Sequence, residues 1–404
     1  MTTTEQPIAA GADGSTYPAF EYNYWNIEPI LSHAQKMDEL RDQYPFFRST
    51  YSTGFWVVTD SEHVREALQR PDLFSSLAVI ALEPDPPYNW IPEMLDPPVH
   101  TKWRQLLAPT FSPGSMAKMA DKVRQRCVDI LDTFADRGHC DFLADFAWRY
   151  PTTIFMDLMG LPVEEADKFL VWEHDILHLP VDQDPDRSRA YKAMQDVRAY
   201  FADLIEERRR DPHDDLLSSA ISWQIDGQPI PEDDLLSMCL LMFMAGLDTV
   251  SIQLSYSFWH LATHPADRAR IVNEPEIIPS AVEELLRAYS FVPTGRRITQ
   301  DMDFHGCPMK KGDMVVLPIP SVNRDPALYP GGPDVVLDRK ANNHIAFGAG
   351  PHRCVGSHLA RRELTVALEE WHKRIPEYRL DESVPVVEHG GMFGVDALAL
   401  LWDA

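Results

Sequence analysis

Apolar residues recur at spacings of three and four over 114–136, 140–159, 187–209, 232–262, 277–289 and 356–373, the period that lines one face of a helix. Strand signals are sparser. GFWVVTD at 54–60 and MDFHGCPMKKGDMVVLP at 302–318 read as hairpin pieces, with KKGD as a turn. The pattern predicts a mainly α protein with minor β. Residues 232–262 depart from amphipathicity: they are apolar nearly all round, which suits either a bilayer span or a helix buried on every side. Asp248 and Gly246 lie in the middle of that run. A carboxylate at the centre of a span is costly and glycine weakens a helix interior, so a buried helix passing something functional is expected.

Composition narrows the classes. The 404 residues are 45% apolar and 25% charged, with 62 acidic against 37 basic side chains and a formal charge of −25. Such a chain repels phosphate backbones and anionic lipid, which excludes nucleic-acid or membrane-surface binding by net charge. The N-terminal stretch MTTTEQPIAAGADGSTYPAF has no basic start and no apolar core, so neither export nor anchoring is expected. Cys127, Cys140, Cys239, Cys307 and Cys354 are odd in number and widely spread, without a CxxC pair. That argues against a disulfide scaffold or structural zinc and fits a reducing cytoplasm. The 33 prolines are dispersed and no Gly/Ser-rich linker marks a boundary. One large domain over 21–404, preceded by a flexible segment 1–20, is expected.

The strongest chemistry lies in FGAGPHRCVGSHLARRE, residues 347–363. Gly348 and Gly350 let the backbone bend tightly around Cys354, and Ala360, Leu364, Ala367, Leu368 and Trp371 then keep helical spacing. Cys354 therefore stands just before a helix N-terminus, where the dipole and free N–H groups favour a thiolate. An isolated cysteine is ordinarily a small buried hydrophobe. Its company decides otherwise: FGAGPHRCVG resembles in full the FGxGxHxCxG cysteine-ligand loop of the cytochrome P450 haem-thiolate monooxygenases. The resemblance implies a single haem domain with a long central helix over the haem. It also implies haem b (iron protoporphyrin IX) with Cys354 as axial ligand, Phe347 covering the sulfur, the Gly348 loop tempering its charge, and His352 reaching a propionate.

Three further segments carry the same resemblance. In EELLR, Glu284 and Arg287 share a helical face; alone they read as a surface salt bridge, whereas the family's ExxR pair is a buried network joined downstream, here by Arg339. In LDPPVHTKWRQLL, His100 and Arg104 lie one turn apart after a double proline that suits a helix start. They resemble the family's propionate-holding HxxxR pair, and Arg296 of VPTGRR resembles another propionate arginine. Carboxylates removed from water need such cationic donors. AGLDT, residues 245–249, resembles the distal acid and alcohol motif, with Ala245 against the haem and Asp248 and Thr249 managing the protons that O–O cleavage consumes. The plain alternative for Thr249 is a back-bond to the carbonyl four residues earlier.

YNWIPEMLDPP, GLDTV, RIPEYRL and GVDALALLWD are similar to the camphor-hydroxylating bacterial group within that family. By that likeness Tyr88 would orient a carbonyl-bearing substrate, while Leu241, Met244, Val292 and Met392 line an apolar pocket; a core tyrosine with a protein partner is the alternative. The stretch 77–87 does not match that group, and Thr294 replaces an acidic residue, so a compact terpenoid-like molecule is implied rather than camphor. Lys102, Arg353, Arg361 and Arg362 form a basic exception in an acidic chain. They read either as a mixed solvated face or as the docking face for an acidic iron–sulfur ferredoxin. The ferredoxin would pass electrons from NAD(P)H by way of a ferredoxin reductase to an O₂-consuming hydroxylase, since 404 residues leave no room for a fused reductase. A peroxide-driven peroxygenase, which would not need Asp248 and Thr249, and a non-catalytic haem sensor are the rival readings. Finally, WEHDILHLP places His174 and His178 four apart beside Glu173 and Asp175. No third ligand follows at motif spacing, so no metal is expected there. By the resemblance this region borders a substrate-access lid, with PVDQDPDRS as a mobile loop.

Overall fold

A computed structural model describes residues 7–10, 16–179, 183–184, 186 to 403. Helices dominate, and a sheet of seven strands lies to one side in the order 7–10, 16–20, 46–49, 55–58, 314–318, 293–298, 74–75. Thr16–Phe20 runs parallel to Phe46–Ser49, so the sheet begins ahead of the boundary expected at residue 21. Parts of the expected 1–20 segment and of the PVDQDPDRS loop (180–182 and 185) lie outside the described residues.

The Glu232–Thr263 helix is the axis of the fold. Its most apolar stretch is long enough to cross a bilayer, yet 72% of that window is buried inside the protein, as in a core helix. Gly246 has a packing reason: a Cβ there would stand 2.9 Å from the Phe155 ring. Three apolar clusters surround this helix and the sheet, and the cysteines other than Cys354 are free and buried within them.

Local periodicity misplaced three boundaries. The 114–136 helix divides at Met119 into Pro113–Lys118 and Ala120–Leu131. His139–Asp141, expected as helix, is a strand paired with Ala399–Leu401, a partner some 260 residues away that no local pattern reveals. The 302–318 hairpin turns at His305 and Gly306, both in the left-handed region, and pairs Met302–Phe304 with Cys307–Met309. KKGD instead leads into Met314–Pro318, which is wholly buried and pairs antiparallel with Pro293–Ile298 and parallel with Phe55–Val58. Asp313 fixes that link by accepting hydrogen bonds from Trp56 Nε1 and the Lys310 amide, both at 2.9 Å.

Candidate active site

Cys354 follows a short turn at Gly350–His352 and precedes the Ser357–Arg374 helix. The Cys354 amide donates to the Phe347 carbonyl at 2.8 Å, closing the loop. Gly350 is required here: its φ is +69°, and a Cβ would stand 2.4 Å from the Leu68 carbonyl oxygen. Cys354 is exposed, unlike the other four cysteines, which are buried. Surrounding protein raises it above its ordinary value, while the Gly356 amide and the Arg104 guanidinium pull the other way by favouring the thiolate. Phe347 is clamped from the far side by the Arg361 guanidinium, 4.5 Å from its ring centre.

His100 and Arg104 ride on the Val99–Leu107 helix, whose Trp103 and Leu107 are buried with His100. The rings of His100 and His352 stack at 3.9 Å. All four of their ring nitrogens are buried without a hydrogen-bond partner, and burial beside His352 and Arg104 pushes His100 down to about 4. Arg296, on the Pro293–Ile298 strand, is 4% exposed and donates to Thr294 Oγ1 and the Gly295 carbonyl. Arg104 donates to the Arg353 carbonyl. Glu93, which no pattern singled out, lies among them with its carboxylate 3.8 Å from His352 Nδ1. Burial alone would raise Glu93, yet His352, Arg296 and His100 together hold it below its ordinary value. Orphaned ring nitrogens and buried cationic donors around a carboxylate form a cradle whose chemistry fits the propionates of a haem.

On the central helix, Leu241, Ala245 and Thr249 stand four apart and are the accessible stripe at a level where Met242, Phe243, Met244, Leu247 and Asp248 are buried. Val355, next to Cys354, packs in the same cluster as Met244 and Leu247, which joins the cysteine loop to this helix. Thr249 Oγ1 donates to the Ala245 carbonyl at 3.0 Å. This is the back-bond that was the plain alternative, and it leaves the hydroxyl oxygen able to accept. Asp248 is 1% exposed; its Oδ1 meets His178 Nε2 at 3.0 Å and its Oδ2 has no partner. His178 also meets Glu173 Oε1 at 3.1 Å. Val292 and Met392 are half-buried against the other main cluster. The Tyr88 hydroxyl is engaged by Glu83 rather than free, and its ring stacks on Trp90.

Glu284 and Arg287 are both 0% exposed and joined at 2.8 and 2.7 Å. Glu284 further accepts from Arg339 Nε, the Val336 amide and Asn342. On the basic surface, Lys102 is paired with Asp226, and Arg361 with Glu283 through two bonds. Among the described residues, Arg353 and Arg362 carry no ion pair. Two of the four cations read as a docking patch are therefore already neutralised.

A cysteine loop packed against a buried helix that opens one stripe, beside a cationic cradle for carboxylates, defines a haem-thiolate protein. The cytochrome P450 family profile matches residues 23–371, and the chain belongs to that family. Haem and O₂-dependent monooxygenation come with membership. A probable cytochrome P450 127A1 of Sinorhizobium fredii is 34% identical over 89% of this chain and 87% of its own length. A steroid C26-monooxygenase of Mycolicibacterium smegmatis is 32% identical over 86% of each. Among solved structures, CYP101J2 matches with a TM-score of 0.87 and 31% identity over 96% of this chain and 97% of its own. CYP101C1 also has a TM-score of 0.87, with 29% identity over 96% and 98%.

Proposed function

We propose that this chain is a cytoplasmic, ferredoxin-fed monooxygenase that hydroxylates an unactivated C–H bond of a compact, mostly apolar, terpenoid-like substrate. The observation that carries this reading is the accessible Leu241, Ala245 and Thr249 stripe with the partnerless Asp248 Oδ2 beside it. A peroxygenase or a sensor would have no use for that acid and alcohol. Curated relatives are named for acting on a steroid, mycinamicin IV and a methyl-branched lipid. The reaction type is therefore carried over, and the substrate is argued from this chain's own walls. Overall likeness to CYP101J2 and CYP101C1 supports a separate ferredoxin as donor.

Cys354, with His100, Arg104, Arg296 and His352 at the propionates, would hold a haem, which would supply the dioxygen activation that thiolate ligation favours. The chain's own residues do the rest. Leu241, Ala245, Val292 and Met392 exclude water and hold the substrate by shape, whereas Met244, expected beside them, is turned into the core. The Thr249 hydroxyl, pinned to the Ala245 carbonyl, presents its oxygen at a fixed place and can order a water there. Asp248, 1% exposed and with Oδ2 free of any partner, is placed to relay a proton inward, with His178 as its outward contact. Glu83 fixes Tyr88 as part of the pocket wall, so any polar grip on the substrate passes through that pair.

The test is substrate-dependent NADH consumption with a ferredoxin and its reductase, after a terpenoid panel has been screened for spectral shifts of the purified holoprotein. Thr249→Ala is expected to keep substrate binding while diverting reducing equivalents to peroxide. Full coupling in that variant overturns the assigned role, and turnover with peroxide alone favours the peroxygenase reading.

A further inference from the structure

We propose that Glu173, His178 and Asp248 form a binding site for a divalent transition-metal cation of the zinc type, whose occupation withdraws Asp248 from proton delivery. The second clause rests on the function proposed above; the site itself does not. Among the described residues, these three are the one group whose nitrogen and carboxylate oxygens converge within 4.8 Å of one another. They come from two helices: Glu173 and His178 lie on and just beyond Ala166–Leu177, and Asp248 on the central helix. The sequence spacing had pointed at His174 with His178. His174 is exposed, and its ring stands 6.2 Å from that of His178; the remaining ligand comes instead from 70 residues further on.

Three features favour a cation over a proton. First, the single nitrogen Nε2 of His178 faces two carboxylate oxygens at once, at 3.0 and 3.1 Å. One N–H must be shared between them as a three-centre bond, whereas a metal between nitrogen and oxygens serves all three. Second, ligands about 2.0–2.2 Å from zinc in a tetrahedron stand about 3.3–3.6 Å apart; the two nitrogen–oxygen distances of 3.0 and 3.1 Å lie close to that, and all three ligand atoms lie within 4.8 Å of one another. Third, the side chains of Glu173 and Asp248 are 4% and 1% exposed, and Asp248 Oδ2 has no partner. Once their protons are displaced, the two buried carboxylates and the neutral imidazole would carry two negative charges, which one divalent ion would cancel. Without it, burial raises Glu173, and the two carboxylates, outweighing burial, hold His178 well above its ordinary value, so the cluster keeps protons that a metal must displace. His178 is the outermost member at 13% exposure. The rings of His174 and of His389, itself bound to Asp396 at 2.6 Å, flank it and line the approach. Three protein ligands would leave a fourth position for water.

The experiment is equilibrium dialysis of the haem-loaded protein against micromolar zinc, with metal counted by atomic absorption, in parallel with turnover. One zinc per chain is expected near pH 7.5. Affinity should weaken at least tenfold in Glu173→Gln and in His178→Gln, each checked for an intact haem spectrum, and should fall as pH drops because the histidine must release its proton. His174→Gln serves as a control that should bind as the wild type does. Absence of zinc binding, or equal binding by wild type and both ligand variants, overturns the site. Zinc bound as expected with turnover undiminished keeps the site and overturns the role given to Asp248. Zinc unbound while Asp248→Asn still loses turnover overturns the site alone.

Discussion

Arg287→Met isolates the ion network beneath the cysteine helix. In the wild type the Arg287 guanidinium donates twice to Glu284 and once each to the carbonyls of Asn323, Gly332 and Asp334, at 2.7–2.8 Å. Removing it strands a carboxylate that is 0% exposed. Breaking a buried pair costs about 3–5 kcal/mol; Arg339 remains as one counter-charge, so the lower end applies. Three carbonyls then lose their donor, at about 1 kcal/mol each. The total, about 6 kcal/mol, equals the whole stability of many proteins, which lies near 5–15 kcal/mol. Arg339→Met is the internal comparison. Arg339 is 9% exposed and its loss leaves Arg287 in place, so about 2–3 kcal/mol is expected. Denaturant unfolding followed by circular dichroism, with the haem-to-protein ratio of each purified variant, measures both. Arg287→Met within about 1 kcal/mol of wild type, less than any single buried donor should cost, would refute the reasoning; so would Arg339→Met costing as much as Arg287→Met.

Tyr88 and Glu83 should be coupled: a double-mutant cycle with Tyr88→Phe and Glu83→Gln is expected to show about 1 kcal/mol or more of interaction in unfolding, as for hydrogen bonds to charged groups, and strict additivity would disprove the bond. Glu283 gives a pH signature. Burial alone would raise it, but Arg361 and His344 outweigh burial and take it from 4.5 down to about 2. A depressed folded value stabilises above the unfolded one and is lost as pH falls towards the folded one. The stability gap between wild type and Glu283→Gln should therefore be level from pH 8 to 5 and close as pH falls towards 2; a gap that widened in acid would contradict the pairing. For electron supply, Arg353→Ala and Arg362→Ala should slow reduction by ferredoxin severalfold at low salt, more than Lys102→Ala does, because Lys102 is already paired with Asp226. Stopped-flow reduction rates that rank the other way would remove that face as the docking site.

Much of the architecture was legible in the chain because its signals are local. The 232–262 run announced a buried helix, and the helix observed is Glu232–Thr263. The 277–289 and 356–373 patterns likewise became Ile278–Ala288 and Ser357–Arg374. Where pairing partners are distant, periodicity failed: His139–Asp141 is a strand only because Ala399–Leu401 lies beside it. Candidate chemistry divides in the same way. The cysteine loop is contiguous, and its glycines are needed for reasons visible within the segment and against Leu68. Glu93 gave no signal, since one acid after a proline has no period; it matters because His100, His352 and Arg296 come from three other segments to meet it.

The sequence by itself determined the helix-rich class, the core helix, the cysteine loop and the family it resembles, because each is written in consecutive residues whose geometry follows from their own backbone. Only the tertiary structure decided who meets whom. It gave the Tyr88 hydroxyl to Glu83, neutralised Arg361 with Glu283, and brought His178 to Asp248 across 70 residues. Contacts of that kind depend on how separate helices and strands pack, and the free energy of a buried charge or hydrogen bond is set by those neighbours rather than by the residues adjoining it in the chain.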